Sequence, residues 1–274
     1  MTSSLPLAGV IGFPVAHSRS PRLHGHWLKR HGINGHYVPL QIDPVDLESA
    51  LAILPRMGFR GANVTLPHKE AALTLAQDVT AQAKRIGAAN TLVFTENGIF
   101  ADNTDGYGFA ANILDHRHDW NPRQVAVIGA GGASRAVLAA VLDHGATEVR
   151  LTNRSPDRSK RLASEFGPTV NPVLWTERAE MLDGCDTLIN ATALGMAGKP
   201  ALDLPLDALP KEAIVNDLVY SPLITPLLAE ARARGNLAVD GLGMLLHQAV
   251  PGFEYWFGVR PSVDAGLRQA VLEP

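Results

Sequence analysis

The residue in the first third of the chain that is best suited to chemistry is Lys69. It follows Pro67 by two positions, and a proline at the start of a helical pattern marks the first turn of a helix. The helix dipole disfavours a cation in that turn, so a purely structural design favours Asp or Glu there. A single lysine is nevertheless most often a solvated surface residue. Both interpretations of Lys69, as a functional ammonium and as a surface residue, stay open at this point.

Other polar side chains collect where the pattern places loops. Ser18 and Ser20 follow the first predicted strand, and Thr65 ends the third. Open α/β sheets bind their ligands beyond these strand ends. A second polar set stands further along the chain and consists of Asn90, Asp102, Asn103, Thr104 and Asp105. Turn chemistry alone explains most of the second set.

A glycine-rich segment follows an apolar run in the middle of the chain. It consists of Gly129, Ala130, Gly131, Gly132, Ala133 and Ser134. A strand before such a segment and a helix after it form the setting in which backbone N–H groups bind a pyrophosphate. Serine stands where the usual fingerprint has its third glycine, so a glycine-rich turn without a ligand remains the alternative.

Basic residues stand where the next predicted strand ends. They belong to the segment Asn153, Arg154, Ser155 and Arg158. NAD-binding folds place an acidic residue here for the ribose 2′-hydroxyl, whereas two guanidiniums four residues apart can hold a 2′-phosphate. A solvated basic turn is the alternative for the arginines taken alone, since Lys160 and Arg161 continue the charge. Together with the glycine-rich segment, the pattern favours NADP over NAD.

Alternating apolar and amphipathic segments must position these residues. Such alternation is typical of βαβ units around a largely parallel sheet. Strands are predicted at 7–13, 36–42, 61–65, 125–128, 148–152, 187–190 and 214–217. Asn97-Gly98 predicts a hairpin between 90–95 and 99–103. The sequence therefore predicts an α/β fold, with an N-terminal α/β domain of mixed, mostly parallel sheet and a Rossmann-like doubly wound domain.

Composition narrows the classes of protein to which the chain can belong. With 274 residues, 46% of them hydrophobic and 19% charged, the chain has the composition of a folded protein of about two domains. A net charge of −3 disfavours nucleic acid as a partner. Cys185 is the only cysteine, which excludes an intramolecular disulfide and a thiolate zinc cluster. We expect a cytoplasmic protein without a membrane anchor and without a metal site.

The motifs, taken in order, resemble the shikimate dehydrogenase family. The resemblance extends from about the tenth residue to near the end of the chain, and several of the motifs are specific to the family. Besides the glycine-rich segment and Gln248, the matching stretches are residues 12–21, 61–70, 87–91, 102–106, 153–158, 190–192 and 240–245.

The resemblance implies a division of labour within the chain. Residues 1–105, completed by 241–274, are expected to bind the substrate, and residues 106–240 to bind NADP in the Rossmann-like domain. The implied reaction is hydride transfer that interconverts 3-dehydroshikimate and shikimate, on the route to chorismate and the aromatic amino acids. We expect a small-molecule substrate, no nucleic-acid or membrane partner, and a monomer or homodimer.

The same resemblance implies roles for individual residues. Ser18 and Ser20 are expected to hold the substrate carboxylate, with Tyr220 near it. The ring hydroxyls and the reacting carbonyl are expected to be surrounded by Thr65, Lys69, Asn90, Asp105 and Gln248. The cofactor contacts are expected from the glycine-rich segment and from Asn153, Arg154, Ser155, Arg158, Thr192 and Gly241.

Lys69 and Asp105 are the expected catalytic pair. Reduction of a carbonyl builds negative charge on its oxygen, and a lysine ammonium can donate a proton to it or stabilise it. The sequence does not decide between these two roles. The sequence departs from the residues frequent in the family at Phe13, His68 and Ala193-Leu194. These positions neighbour the expected ligands, so we expect them to affect the fine substrate preference and not the reaction type.

Two other functions compete with this interpretation. An NAD-dependent quinate/shikimate dehydrogenase is disfavoured by Arg154 and Arg158 and by the second serine, Ser20. A non-catalytic NADP-binding regulatory module is disfavoured because such a module has no need of Lys69 and Asp105 together.

Overall fold

The computed structural model describes residues 5–273. The chain forms two compact units. The first unit contains the residues up to Thr104 and those from Leu246 onward, and the second runs from Asp105 to Leu245. The α/β fold class predicted from the sequence is confirmed.

The N-terminal part of the first unit alternates strands and helices and finishes with a hairpin. In chain order its elements are β1 (Leu7–Gly12), α1 (Ser20–Arg30), β2 (His36–Gln41), α2 (Leu47–Ile53), β3 (Phe59–Val64), α3 (Lys69–Leu75), β4 (Asp78–Val79), α4 (Ala81–Ile86), β5 (Thr91–Thr95) and β6 (Gly98–Asp102). The hairpin turns at Glu96-Asn97, one residue earlier than predicted, and Gly98, which pairs with Thr95, has a φ of 115°. Only glycine adopts such an angle without strain.

The sheet of the first unit is mixed. Its strand order is β2-β1-β3-β5-β6-β4, with β2-β1, β1-β3 and β4-β6 parallel and β3-β5 and β5-β6 antiparallel. β1 and β3 therefore end at the same edge. Asn90 lies at that edge as well, because its carbonyl oxygen accepts a 2.8 Å hydrogen bond from Val64 N. This edge carries the predicted serine, threonine and lysine.

The second unit is a doubly wound domain. In chain order it contains α5 (Asp105–His116), β7 (Gln124–Ile128), α6 (Gly132–Asp143), β8 (Glu148–Thr152), α7 (Pro156–Phe166), β9 (Val170–Val173), β10 (Thr187–Asn190), β11 (Ile214–Asp217), α8 (Pro226–Arg234) and β12 (Leu237–Val239). All strand pairs are parallel, in the order β12-β11-β10-β7-β8-β9. The chain reverses its direction of winding between β7 and β10, and ligands bind beyond the carboxyl ends of the strands at such a switch point.

The last two helices are α9 (Leu242–Phe257) and α10 (Ala265–Leu272). The part of α9 from Leu246 onward belongs to the first unit. Trp256 Nε1 donates to the carbonyl oxygen of Leu92 at 2.9 Å, and Trp27 Nε1 donates to that of Ser262 at 3.0 Å. Both indoles are fully buried. The C-terminal residues therefore pack with the N-terminal residues in the core of the first unit.

Several predicted boundaries differ from the structure. The segment 44–57 begins with Pro44 and is followed by Gly58, a pattern that predicts a single helix, but it is divided into a 3₁₀ turn, α2 and a second 3₁₀ turn, because Pro55 has no N–H for the helical ladder. The strand predicted at 61–65 spans Phe59–Val64, and the pattern does not indicate β4, β9 or β12, which have two to four residues. In the described part of the chain, no helix has the length and apolar character needed to span a bilayer.

Candidate active site

Ser18 lies on the loop between β1 and α1, and Ser20 is the first residue of α1. Ser18 N donates to Val15 O at 3.0 Å, and Ser20 N donates to Ser18 Oγ at 3.3 Å. Ser20 is buried at 6% exposure, whereas Ser18 is partly exposed. The loop and the start of α1 therefore hold two hydroxyls two residues apart, at the sheet edge where β1 ends.

Thr65 directly follows β3, and Lys69 begins α3, the next helix. Thr65 N donates to Ile11 O at 2.8 Å, which fixes Thr65 beside the end of β1. A Cβ on Gly12 would lie 2.5 Å from the methyl group of Thr65, so only glycine fits there. Lys69 is the first residue of α3 and is partly buried. As predicted, its cation stands at the helix end that disfavours it.

A buried network of amides and hydroxyls joins Asn90 to Gln248. Asn90 Oδ1 accepts from Thr104 N at 2.8 Å, and its Nδ2 donates to Gln248 Oε1 at 3.2 Å. Thr104 Oγ1 donates to the backbone oxygen of Gln248 at 2.7 Å. Because a backbone N–H can only donate, Thr104 fixes which end of the Asn90 amide is the oxygen. Gln248 Oε1 therefore accepts from Asn90.

Asn63 extends this network towards the serine loop. Its Nδ2 donates to Asn90 O at 3.1 Å and to Thr91 Oγ1 at 3.2 Å, and its Oδ1 accepts from Tyr37 Oη at 2.7 Å. Burial raises the pKa of Tyr37, and a hydrogen bond with Ser20 opposes that rise. Tyr37 was not among the predicted site residues. An aromatic residue in a strand ordinarily indicates core packing alone, and only the fold brings its hydroxyl to Asn63.

His24 lies directly against Tyr37, with ring centroids 3.9 Å apart and the rings nearly parallel. Its side chain is fully buried, and this burial lowers the pKa of His24 to about 3. The imidazole is therefore neutral at physiological pH and serves as an aromatic surface below the polar network.

The glycine-rich segment forms a tight turn from β7 into α6. Gly129 has a φ of 108° and donates from its N to Thr152 O at 2.8 Å. Gly131 and Gly132 stand at the start of α6, and a Cβ on either would meet nothing within 4 Å. The space beside the helix N-terminus is thus open, as a bound pyrophosphate requires. Ser134 is fully buried, and its Oγ accepts a hydrogen bond from Gly131 N at 3.2 Å. The Ser134 side chain therefore stabilises the turn.

The end of β8 lies beside this turn. Asn153 Oδ1 accepts from Ala130 N at 3.2 Å, and its Nδ2 donates to Ser155 O at 3.0 Å. Arg154 and Arg158 are exposed at the beginning of α7. The chain continues from β8 as Asn153, Arg154, Ser155 and Pro156, without the carboxylate that a 2′-hydroxyl needs. These residues fit NADP.

The remaining predicted residues are divided between the units. Gln248 belongs to the first unit, whereas Asp105, Thr192, Tyr220 and Gly241 belong to the second. Asp105 is the first residue of α5 and is partly buried. The pairing of Lys69 with Asp105 thus joins residues of different units and stays a prediction. Within residues 5–273, no group of three His, Cys, Asp or Glu side chains is arranged to hold a metal ion.

Comparison with known proteins identifies the family. Three family models match successive parts of the chain: "Shikimate dehydrogenase substrate binding domain" at residues 10–92, "Shikimate / quinate 5-dehydrogenase" at 109–197, and "Shikimate 5'-dehydrogenase C-terminal domain" at 241–271. A protein of Paracoccus denitrificans named shikimate dehydrogenase (NADP(+)) is 60% identical over 270 residues, which cover 97% of this chain and 96% of that protein. The chain belongs to the shikimate dehydrogenase family. The resemblance predicted from its motifs is confirmed.

Other relatives of the shikimate dehydrogenase family agree in sequence and in fold. A protein of Paramagnetospirillum magneticum with the same name is 56% identical over 99% of this chain and all of its own. A shikimate 5-dehydrogenase of Thermus thermophilus, crystallised with NADP(H) and shikimate, is 38% identical, with a TM-score of 0.87 over 97% of this chain and 98% of that one. A quinate dehydrogenase of Corynebacterium glutamicum in complex with NAD is 31% identical, with a TM-score of 0.91 over 98% and 99%.

Proposed function

We propose that this chain is an NADP-dependent shikimate dehydrogenase that reversibly reduces 3-dehydroshikimate to shikimate, on the route to chorismate and the aromatic amino acids. The observation that carries the proposal is the 60% identity to a protein of that name over 97% of this chain. The predicted site residues support it, because the first unit offers hydroxyls, amides and an ammonium at one sheet edge, and the second offers a dinucleotide turn.

The first unit is proposed to bind the substrate. The hydroxyl groups of Ser18 and Ser20 donate hydrogen bonds to the substrate carboxylate, and Tyr220 of the second unit is a further contact. The ring hydroxyls and the carbonyl are held by Thr65, Lys69, Asn90, Asp105 and Gln248. A cyclic polyol acid needs several fixed donors and acceptors to be held in one orientation. The buried network from Tyr37 through Asn63 to Gln248 provides this fixed polarity.

Lys69 is proposed as the group that acts on the reacting oxygen. NADPH, when bound, supplies the hydride. As a carbonyl is reduced to an alcohol its oxygen gains negative charge and must receive a proton, so the Lys69 ammonium stabilises the charge and donates the proton. In the direction of oxidation the Lys69 amine accepts it. Asp105 is proposed to pair with the Lys69 ammonium and orient it.

The second unit is proposed to bind NADP. The diphosphate lies at the turn formed by Gly129, Ala130, Gly131, Gly132 and Ala133, with Ser134 holding that turn. The adenosine 2′-phosphate lies between Arg154 and Arg158, beside Asn153 and Ser155, and an exposed pair of guanidiniums suits a dianionic phosphate. Thr192 and Gly241 are proposed to contact the nicotinamide half. We further propose a cytoplasmic enzyme, monomeric or homodimeric.

One assay tests the proposal. The purified protein is incubated with shikimate or quinate and with NADP or NAD, and the absorbance of reduced cofactor is followed at 340 nm. We expect shikimate with NADP to have the highest kcat/KM of the four pairs. A preference for quinate with NAD would instead indicate the activity named for the Corynebacterium glutamicum neighbour, and binding of NADP without turnover of either substrate would indicate a regulatory module.

A further inference from the structure

Asp217 ends β11 as a fully buried carboxylate. Three donors face its two oxygens. Asn190 Nδ2 and Val219 N donate to Oδ1 at 2.9 and 3.0 Å, and Thr225 Oγ1 donates to Oδ2 at 2.7 Å. Burial raises the pKa of Asp217, and the three hydrogen bonds oppose that rise. Burying a carboxyl group costs free energy unless hydrogen-bond donors are well placed around it. The segments that carry the three donors are therefore the ones that Asp217 can hold in place.

One of those partners leads to the dinucleotide turn. Asn190 ends β10, and its Oδ1 accepts from Thr192 N at 3.1 Å and from Thr192 Oγ1 at 2.7 Å. The methyl group of Thr192 lies against Gly129, where an added Cβ would come within 2.8 Å of it. Asp217 therefore orients the Asn190 amide, and the Asn190 amide in turn fixes Thr192. The position of Thr192 sets how much space is left beside Gly129.

The other partners hold the loop that follows β11. Val219 and Thr225 bracket Tyr220, so the bonds of Asp217 close residues 218–225 into a loop anchored at both ends. Gly241 packs on the same segment, because its N donates to Val219 O at 3.3 Å and an added Cβ would lie 2.2 Å from Leu218 O. Ser221 O also accepts from Ala197 N at 2.8 Å, which ties this loop to the one after β10.

We propose that Asp217 is a positioning residue for the cofactor and for Tyr220, because its carboxylate fixes the two loops that carry Thr192 and Tyr220 at the carboxyl edge of the parallel sheet, and Gly241 packs on the second of these loops. Asp217 touches neither ligand in this proposal and acts through its hydrogen-bond donors. The proposal rests on the assignment of NADP to the second unit.

The test compares Asp217→Ala with Asp217→Asn. The alanine variant loses all three acceptor contacts, whereas asparagine keeps Oδ1 for Asn190 and Val219 and presents Nδ2 to the Thr225 hydroxyl, which can accept. Displacement of binding groups by about 1 Å costs up to about a hundredfold in rate. We expect Asp217→Ala to lower kcat/KM for NADPH by about 10- to 100-fold and to weaken NADPH binding, and Asp217→Asn to restore most of both.

Asn236→Ala is the matched control in the same unit. Asn236 is buried, and its Nδ2 donates to Pro210 O, Lys211 O and Ala213 O at 2.8 to 3.0 Å. Asn236 precedes β12 and so lies at the amino edge of the sheet, opposite the proposed cofactor site. We expect its loss to lower the melting temperature and to leave the kinetic constants and the Kd of NADPH within about twofold, since distant sites act independently.

The outcomes separate the positioning role from general stability. The proposal is overturned if Asp217→Ala keeps the parental constants, or if Asn236→Ala loses as much NADPH affinity at an equal fall in melting temperature. If Asp217→Ala does not fold, the pair Thr225→Val and Thr225→Ser takes its place: valine should weaken NADPH binding and serine should not, and equal behaviour of the two refutes the proposal. NADPH binding is measured by fluorescence without substrate, so a failure to turn over shikimate would count against the proposed reaction and not against Asp217.

Discussion

The strongest prediction concerns Asn90, where the buried network of the first unit meets the proposed substrate. Asn90→Ala removes the acceptor of Thr104 N and one donor to Gln248 Oε1. A buried donor left without its acceptor costs about 1 to 3 kcal/mol, and loss of a further hydrogen bond costs about 0.5 to 1.5 kcal/mol. We therefore expect the free energy of unfolding to fall by about 2 to 4 kcal/mol.

A second substitution, Asn90→Asp, changes the hydrogen-bonding groups of the side chain and keeps its size. It therefore separates the effect of hydrogen bonding from that of packing. Asn90→Asp keeps the oxygen that accepts from Thr104 N but places another oxygen 3.2 Å from Gln248 Oε1. Two acceptors repel at that distance, so the Gln248 amide must turn over and present its oxygen to the substrate instead of its NH₂ group. We expect kcat/KM for shikimate to fall by about a hundredfold in the Asn90→Asp variant.

The measurements are urea unfolding, steady-state kinetics with shikimate, and NADPH binding. Because the turn proposed to bind NADP lies in the second unit, the Kd of NADPH should stay near the parental value in both variants. Asn34→Ala, an exposed asparagine of the first unit, serves as the control and should match the parent in all three. An Asn90→Ala protein with parental stability, or an Asn90→Asp protein with parental kcat/KM for shikimate, would show that the network does not set the polarity of the site.

Three further predictions follow from single features of the structure. Arg154→Ala and Arg158→Ala should each raise KM for NADP by about 10- to 100-fold and leave KM for NAD nearly unchanged, and an equal response of both cofactors would disprove the 2′-phosphate assignment. Lys69→Ala should lower kcat by about a hundred- to ten-thousandfold without changing the Kd of NADPH, whereas a kcat near the parental value would make Lys69 a surface residue. The pKa of His24 is lowered from 6.5 to about 3 by folding, so below pH 6.5 the unfolded chain binds the proton and stability falls as the pH falls towards 3. The slope approaches about 1.4 kcal/mol for each pH unit once the unfolded histidine is protonated, so this loss reaches about 2 kcal/mol between pH 6.5 and 4.5, and His24→Phe should remove it from the urea-unfolding profile; an unchanged profile would contradict the assignment.

The sequence predicts most of the fold because its local signals agree with the tertiary structure. The strands at 148–152, 187–190 and 214–217 have the predicted bounds, since buried parallel strands are short apolar runs with polar ends. Boundaries are less certain where a proline interrupts a helical pattern, as at Pro55. Very short strands such as β4 depend on their sheet neighbours, and no local pattern marks them.

The site divides in a similar way. The family, the reaction class and NADP as cofactor are predicted from motifs, and the relatives agree with them. The roles of the single residues remain predictions. The sequence does not indicate that Tyr37 bonds to Asn63 or that Asp217 gathers three donors, because all of these contacts except the one from Val219 join residues 8 to 27 positions apart. A carboxylate at the end of a predicted strand that begins with Ile214 and Val215 is the one local signal that points to Asp217.

The division of the first unit between both ends of the chain has a consequence for biosynthesis. Residues 105–245 all leave the ribosome before Trp256, which must reach Leu92 to complete the core of the first unit. At about 5 to 20 residues per second, the stretch from Leu246 to Trp256 takes about 0.5 to 2 s to synthesise. During that interval the second unit already has its whole sequence, while the apolar surface that Trp256 covers remains open. The nascent chain thus acquires the complete sequence of its second unit before that of its first, and during the interval between them its exposed apolar surface needs protection from aggregation.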